Sequence, residues 1–149
     1  MNEQFIHVYT KSRYRMAYAD PLGDSFMLSP FVSNEELGTA VVSALSKSRF
    51  LSVAEAEQLR AGAEERQGIW IDQVCKRYGY KSQRVLFKGM KNCSIECADH
   101  VLQIMPSVQE KSGGWSGDDI APEDYVSITD TSSDSEVGAA LRLAFSRCR

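Results

Sequence analysis

The chain has 149 residues, 43% hydrophobic and 25% charged, which suits one soluble domain with a real core. Its formal net charge is only −3, and no apolar run approaches the ~18 residues of a membrane span. The segment Met1-Asn2-Glu3-Gln4-Phe5-Ile6-His7 has no basic region followed by an apolar core, so no signal peptide is read and a cytoplasmic protein is expected. Cys75, Cys93, Cys97 and Cys148 fit no disulfide framework and are expected to be reduced.

In chain order, residues 5–10 read as a strand. Arg13 to Tyr18 alternates basic or small residues with Tyr14, Met16 and Tyr18, the period of a half-buried strand. Asp20-Pro21-Leu22-Gly23-Asp24 is a turn, so 13–19 and 25–29 are expected to pair as a hairpin. A helix then runs from Ser33 to about Arg49. Ser52 with Glu55 starts a further helical region, which Gly62 and Gly68 divide into expected helices at about 53–61 and 69–78, stopped by Gly79. Val85-Leu86-Phe87 reads as a strand. Cys93–Cys97 and Val101–Met105 flank Ala98-Asp99-His100 at hairpin spacing. Residues 107–122, rich in Gly, Ser and Asp, form the longest expected loop, and a strand at 125–129 precedes a last helix.

That last helix repeats the earlier one. Aligned without gaps, Ser33–Arg49 and Ser133–Arg149 are identical at seven of seventeen positions, which makes chance a poor explanation. Each copy carries a capping box, Ser33 with Glu36 and Ser133 with Glu136: the hydroxyl takes the N–H three residues on, and the carboxylate returns to the cap N–H. Gly38 and Gly138 fall in the first turns, where Gly costs ~1 kcal/mol against Ala. Its presence at the same place twice points to close backbone packing there. Each helix follows a short strand, so the two are expected as a pseudo-symmetric pair on one sheet. The fold class is a mixed α/β domain of the α+β kind: a largely antiparallel twisted sheet with two repeated capped helices packed on it.

Charge is unevenly spread. From Lys76 to Lys91 there are six bases and no acids, whereas from Cys93 to Val137 there are ten acids against Lys111 alone, so each half favours its own kind of partner. The segment Lys76–Lys88 interleaves cations with Tyr78, Tyr80 and Phe87, as a nucleic-acid module with a stacking platform would. Lys and Arg stems lying on an apolar body explain it more simply, since the chain as a whole is acidic. His7 and His100 would serve a small metal-free hydrolase if one cleft held both. Cys93 and Cys97, on a strand, stand more than ~13 Å apart, too far to share a metal. Phosphate-loop, nucleophile-elbow and metalloprotease motifs are lacking. The remaining candidate is Trp115 among Glu110, Asp118, Asp119, Glu123 and Asp124, an aromatic anchor ringed by acids and suited to a basic protein, with Glu96 and Asp99 adding acids on the preceding hairpin.

Several stretches resemble one family, the contact-dependent growth inhibition immunity proteins (CdiI). They are Tyr18-Ala19-Asp20-Pro21-Leu22-Gly23, Glu36-Leu37-Gly38, Ser48-Arg49-Phe50-Leu51, Tyr78-Gly79-Tyr80-Lys81-Ser82, Leu86-Phe87-Lys88-Gly89-Met90 with Cys93, Trp115-Ser116-Gly117 and the closing Gly138–Cys148. They keep their order over nearly the whole chain, and the middle, about 52–75, matches less. The resemblance implies a non-catalytic protein that binds the toxic C-terminal domain of a cognate CdiA effector as a 1:1 heterodimer. It implies no cofactor and no metal. The toxin is expected to be a nuclease, blocked at its active site or substrate surface. The expected toxin-binding set is Trp115, Asp118, Asp119, Glu123, Asp124, Glu110, Glu96 and Asp99. It comes from the charge pattern, because immunity proteins are matched to individual toxins and their contact residues do not carry over.

Overall fold

A computed structural model describes residues 1–111 and 113–149. The elements, in order, are β1 (Ile6–Tyr9), β2 (Lys11–Arg13), β3 (Ala17–Ala19), β4 (Ser25–Leu28), α1 (Asn34–Ser46), α2 (Val53–Ala61), α3 (Ala63–Tyr78) and α4 (Gln83–Phe87). There follow β5 (Cys93–Ala98), β6 (Val101–Pro106), β7 (Val108–Gln109), β8 (Trp115–Ser116), a 3-10 turn (Pro122–Asp124), β9 (Val126–Thr129) and α5 (Asp134–Arg147). The expected class holds: mixed helix and strand, with antiparallel pairing throughout the named strands.

The expected sheet is divided. β1 pairs with β4, β2 with β3 and β7 with β8, while β5, β6 and β9 form a three-stranded sheet. α1 packs on β1 and β4, and α5 on β5, β6 and β9, so each repeated helix covers the sheet of its own half rather than sharing one. The two helices meet across this divide. α5 has the full capping box, with the Glu136 carboxylate 2.7 Å from Ser133 N; α1 keeps the Ser33 half, its hydroxyl accepting from Glu36 N at 3.1 Å. Arg142 of α5 reaches over to the start of α1, donating to Asn34 Oδ1 at 2.9 Å, to Pro30 O at 3.0 Å and to Val32 O.

Two apolar clusters sandwich the β1–β4 pair. Ile6 and Val8 of β1 join Leu37, Val41, Ile104, Val137 and Leu141 beneath α1 and α5. On the other side Phe5, Ile71, Val74, Leu86, Phe87 and Met90 pack beneath α3 and α4. β4 shows the alternation of a strand covered on both faces: Phe26 and Leu28 face the first cluster and Met27 the second. Each fully buried Leu or Ile contributes about 1.5–3 kcal/mol of transfer free energy.

Several local expectations are corrected. Residues 13–18 are not one strand: the chain reverses at 14–16, so β2 pairs with β3, and β4 pairs with β1 instead of forming a 13–19/25–29 hairpin. Val85-Leu86-Phe87 is helical, because Ser82 caps it by accepting from Val85 N at 3.4 Å and burial of Leu86 and Phe87 overrides their strand preference. α3 runs through Gly68, where the ~1 kcal/mol cost of Gly is outweighed by packing of the face that carries Ile71 and Val74. The expected 107–122 loop contains the β7–β8 pairing; Ser112 within it lies outside the described residues. The β5–β6 hairpin forms as read, turned by Asp99 (φ 50) and His100 (φ 62), both in the left-handed region a two-residue turn requires.

Candidate functional site: a cleft between two strand edges

The division of the sheet leaves a gap between β1 and β5. β4 occupies one side of β1, and the pairing of Thr10 N with Asp24 O at 2.9 Å fixes which residues bond across it. By antiparallel alternation, the backbone groups of His7 and Tyr9 then face away from β4, into the gap. Among the described residues β5 pairs with β6 alone, and counting from the Ala98–Val101 turn, Ile95 faces the gap by the same alternation. Two clasps set the strands side by side and running the same way. Met1 and Lys91 exchange backbone bonds of 2.7 and 2.8 Å at one end, and Arg13 Nη1 meets Glu96 Oε1 at 3.3 Å at the other. Between them lies a cavity of about 110 Å³ whose floor is Val41, Ala44 and Leu45 of α1 with Leu141 and Phe145 of α5.

The opposite side of the gap opens into a larger cleft of about 470 Å³ walled by aromatic rings. His7 lies between Tyr9, at 4.7 Å, and Trp70 of α3, at 5.0 Å, nearly parallel to the latter. Trp70 continues the series to Phe87, and Phe87 meets Trp115 edge-on at 5.4 Å. Burial among these rings, with a smaller contribution from the nearby amino terminus, lowers the His7 pKa to about 4, so its imidazole is neutral at pH 7. Its Nε2 is 2.9 Å from Ser25 Oγ.

A family model described as CDI immunity protein, CdiI, matches residues 1–148. The chain belongs to the CdiI family. It is 39% identical to immunity protein CdiI-YPIII of Yersinia pseudotuberculosis serotype O:3 (strain YPIII), over all of this chain and 92% of that protein. Among solved structures it resembles a chain of a CdiA-CT/CdiI toxin and immunity complex from Yersinia pseudotuberculosis, with TM-score 0.90 and 37% identity over 100% of this chain and 94% of the other. A protein of unknown function from Neisseria meningitidis matches with TM-score 0.90 and 33% identity over 100% and 92%. No described helix of this CdiI family member is long and apolar enough to cross a membrane.

In this CdiI chain the acidic residues singled out from the sequence fall into two groups. Asp118, Asp119, Glu123 and Asp124 gather around the end of α5. Arg149 donates to Asp124 Oδ2 at 2.7 Å and to Asp119 O at 3.3 Å, and Arg147 donates to the Asp124 carbonyl at 2.9 Å. Glu110 lies on the neighbouring β7–β8 connection, its N–H donating to Gly114 O at 2.9 Å. Glu96 and Asp99 lie apart on β5 and its turn, Glu96 paired with Arg13. Trp115 is turned inward: its Nε1 donates to Met90 O at 2.8 Å and its ring joins the cluster beneath α3. Asp118, Asp119, Glu123 and Asp124 thus gather near the end of α5 with Trp115 turned away from them.

The rival readings meet obstacles. His7 lines the cleft, whereas His100 sits on the β5–β6 turn, its side chain 91% exposed and 2.9 Å from Asp130, so one cleft does not hold both histidines. The rings of the basic segment are occupied: Tyr78 packs 4.9 Å from Phe5, and Tyr80 Oη accepts from Asn2 Nδ2 at 2.9 Å. The cations Lys76, Arg77, Lys81, Arg84 and Lys88 therefore stand without a free stacking face. Sequence reasoning missed the edges themselves. His7 and Tyr9 carried a signal, two rings on one face of a strand, but the gap comes from the placement of distant elements.

Proposed function

We propose that this chain is the immunity partner of the C-terminal toxin domain of a cognate CdiA effector, which it neutralises inside the cell by stoichiometric 1:1 binding and not by catalysis. Family membership and a structural relative found in a toxin and immunity complex support this reading. The observation that carries the site is the pair of edges, β1 and β5, unpaired among the described residues and running in the same direction over an apolar floor. An extended toxin segment laid antiparallel to both joins the two sheets into one, in the order β4, β1, guest, β5, β6, β9. Each new backbone hydrogen bond then contributes about 0.5–1.5 kcal/mol net, and the floor adds apolar burial.

The acidic surface formed by Asp118, Asp119, Glu123, Asp124 and Glu110, with Glu96 and Asp99 nearer β5, supplies a second contact in this proposal. It suits a nuclease toxin, whose substrate surface is basic, and it would speed association. The test is co-expression with the C-terminal toxin domain of the cognate CdiA: a 1:1 complex on purification and survival of the cells are expected. Toxin that kills despite full immunity-protein expression would contradict the proposal.

A further inference from the structure

We infer that the strand received between β1 and β5 carries a carboxylate side chain that enters the aromatic cleft and is held there by Lys11 and Lys91; this rests on the function proposed above. A strand lying in the gap has two faces. One meets the floor of Val41, Ala44, Leu141 and Phe145, which suits small apolar side chains. The alternate side chains point the other way, into the cleft of about 470 Å³.

The charges around that cleft do not balance. Lys11, Arg66 and Lys91 line it, and no ion pair joins any of them to an acid among the described residues. Its own carboxylates are already engaged. Asp20, with a side chain 1% exposed, accepts from Arg49 Nε at 2.9 Å and from Leu22 N at 3.0 Å. Asp24 Oδ2 accepts from Ser43 Oγ at 2.7 Å. Arg66 is turned back on Leu59 O, which leaves the two lysines as the movable cations. Lys11 Nζ lies 5.9 Å from the Tyr9 ring centroid, beside the gap, and Lys91 belongs to the clasp that closes its other end. A carboxylate reaching into the cleft can draw on these ammonium groups, and charge-assisted bonds are about twice as strong as neutral ones. A basic side chain in the same place meets like charge. The cleft and the acidic surface thus carry opposite signs and fix the toxin's orientation.

The test uses the 149-residue chain and the purified toxin domain. Binding is measured by titration calorimetry from low to physiological salt, for wild type, K11M/K91M and K11E/K91E, with thermal melts confirming folding. Wild type is expected to bind, with K11M/K91M roughly 10- to 100-fold weaker and less salt-dependent, and K11E/K91E weaker still. Equal affinity and equal salt dependence of the charge variants overturn the inference while leaving the function standing; an uncharged or aromatic guest side chain would give that result. Failure of the wild-type protein to bind defeats the underlying reading instead. If the double variants do not fold, K11E alone decides by the same criterion, because Lys11 is exposed and its side chain makes no ion pair.

Discussion

Gly38 of α1 and Gly138 of α5 each receive the first residue of the other helix. A Cβ on Gly38 would lie 1.7 Å from the Asp134 carbonyl oxygen, and one on Gly138 would lie 2.0 Å from that of Asn34. Both obstacles are backbone, which cannot rotate aside. The side-chain bond from Thr39 Oγ1 to Asp134 Oδ2 crosses the same junction. The repeated glycine is therefore what lets two capped helix starts touch and brings the two half-sheets together.

Either glycine changed to alanine should push the helices apart. We expect G38A or G138A to lose about 2–4 kcal/mol in denaturant unfolding, at the upper end of overpacking costs. The double variant should lose less than the sum, because the junction opens once. Single variants within about 0.5 kcal/mol of wild type would show that the helices do not meet this way.

Trp115 is tied into the fold by its bond to Met90 O and its contact with Phe87. W115A removes the bond to Met90 O and the edge contact on Phe87, and should cost about 2–3 kcal/mol, below the usual range because the ring is only partly buried. Unchanged stability with lost toxin binding would mark it as a surface anchor instead.

His7 gives stability a pH dependence of defined sign. Its pKa falls from 6.5 unfolded to about 4 folded, so between those values the unfolded chain binds more protons. Stability is unaffected by this group above pH 6.5, declines as pH falls through the window, and levels off below about 4. At ~1.4 kcal/mol per decade the loss is at most roughly 3 kcal/mol. H7N should flatten the stability profile between pH 6.5 and 4; an unchanged slope would contradict the half-buried neutral imidazole.

Charge reversal at Asp118 and Asp119 tests the acidic surface. Both are exposed and flank the Arg149 contacts. D118K/D119K should slow toxin association about tenfold at low salt and flatten its salt dependence, leaving stability near wild type. Association rates equal to wild type at every salt concentration would remove this loop from the interface.

Local chemistry made much of this fold legible. The helix starts at Ser33, Ser52 and Ser133 announced themselves by hydroxyls three residues ahead of glutamates, and Gly79 marked the end of α3 with its left-handed φ of 73. The β5–β6 hairpin followed from two turn residues between alternating strands. Pairing between remote strands was harder: nothing near Ser25 says that its partner is Tyr9, and Val85-Leu86-Phe87 has strand-like residues in a capped helical turn. The acidic pattern could be read residue by residue, but the edges of β1 and β5 face each other only once the α1–α5 junction has placed their two sheets side by side.

Backbone amide exchange, followed residue by residue by NMR for the chain alone and bound to its toxin domain, tests the central claim most directly. We predict that the His7, Tyr9 and Ile95 amides exchange quickly in the free protein and become strongly protected in a 1:1 complex. A complex in which these three amides exchange as fast as in the free chain would contradict the account.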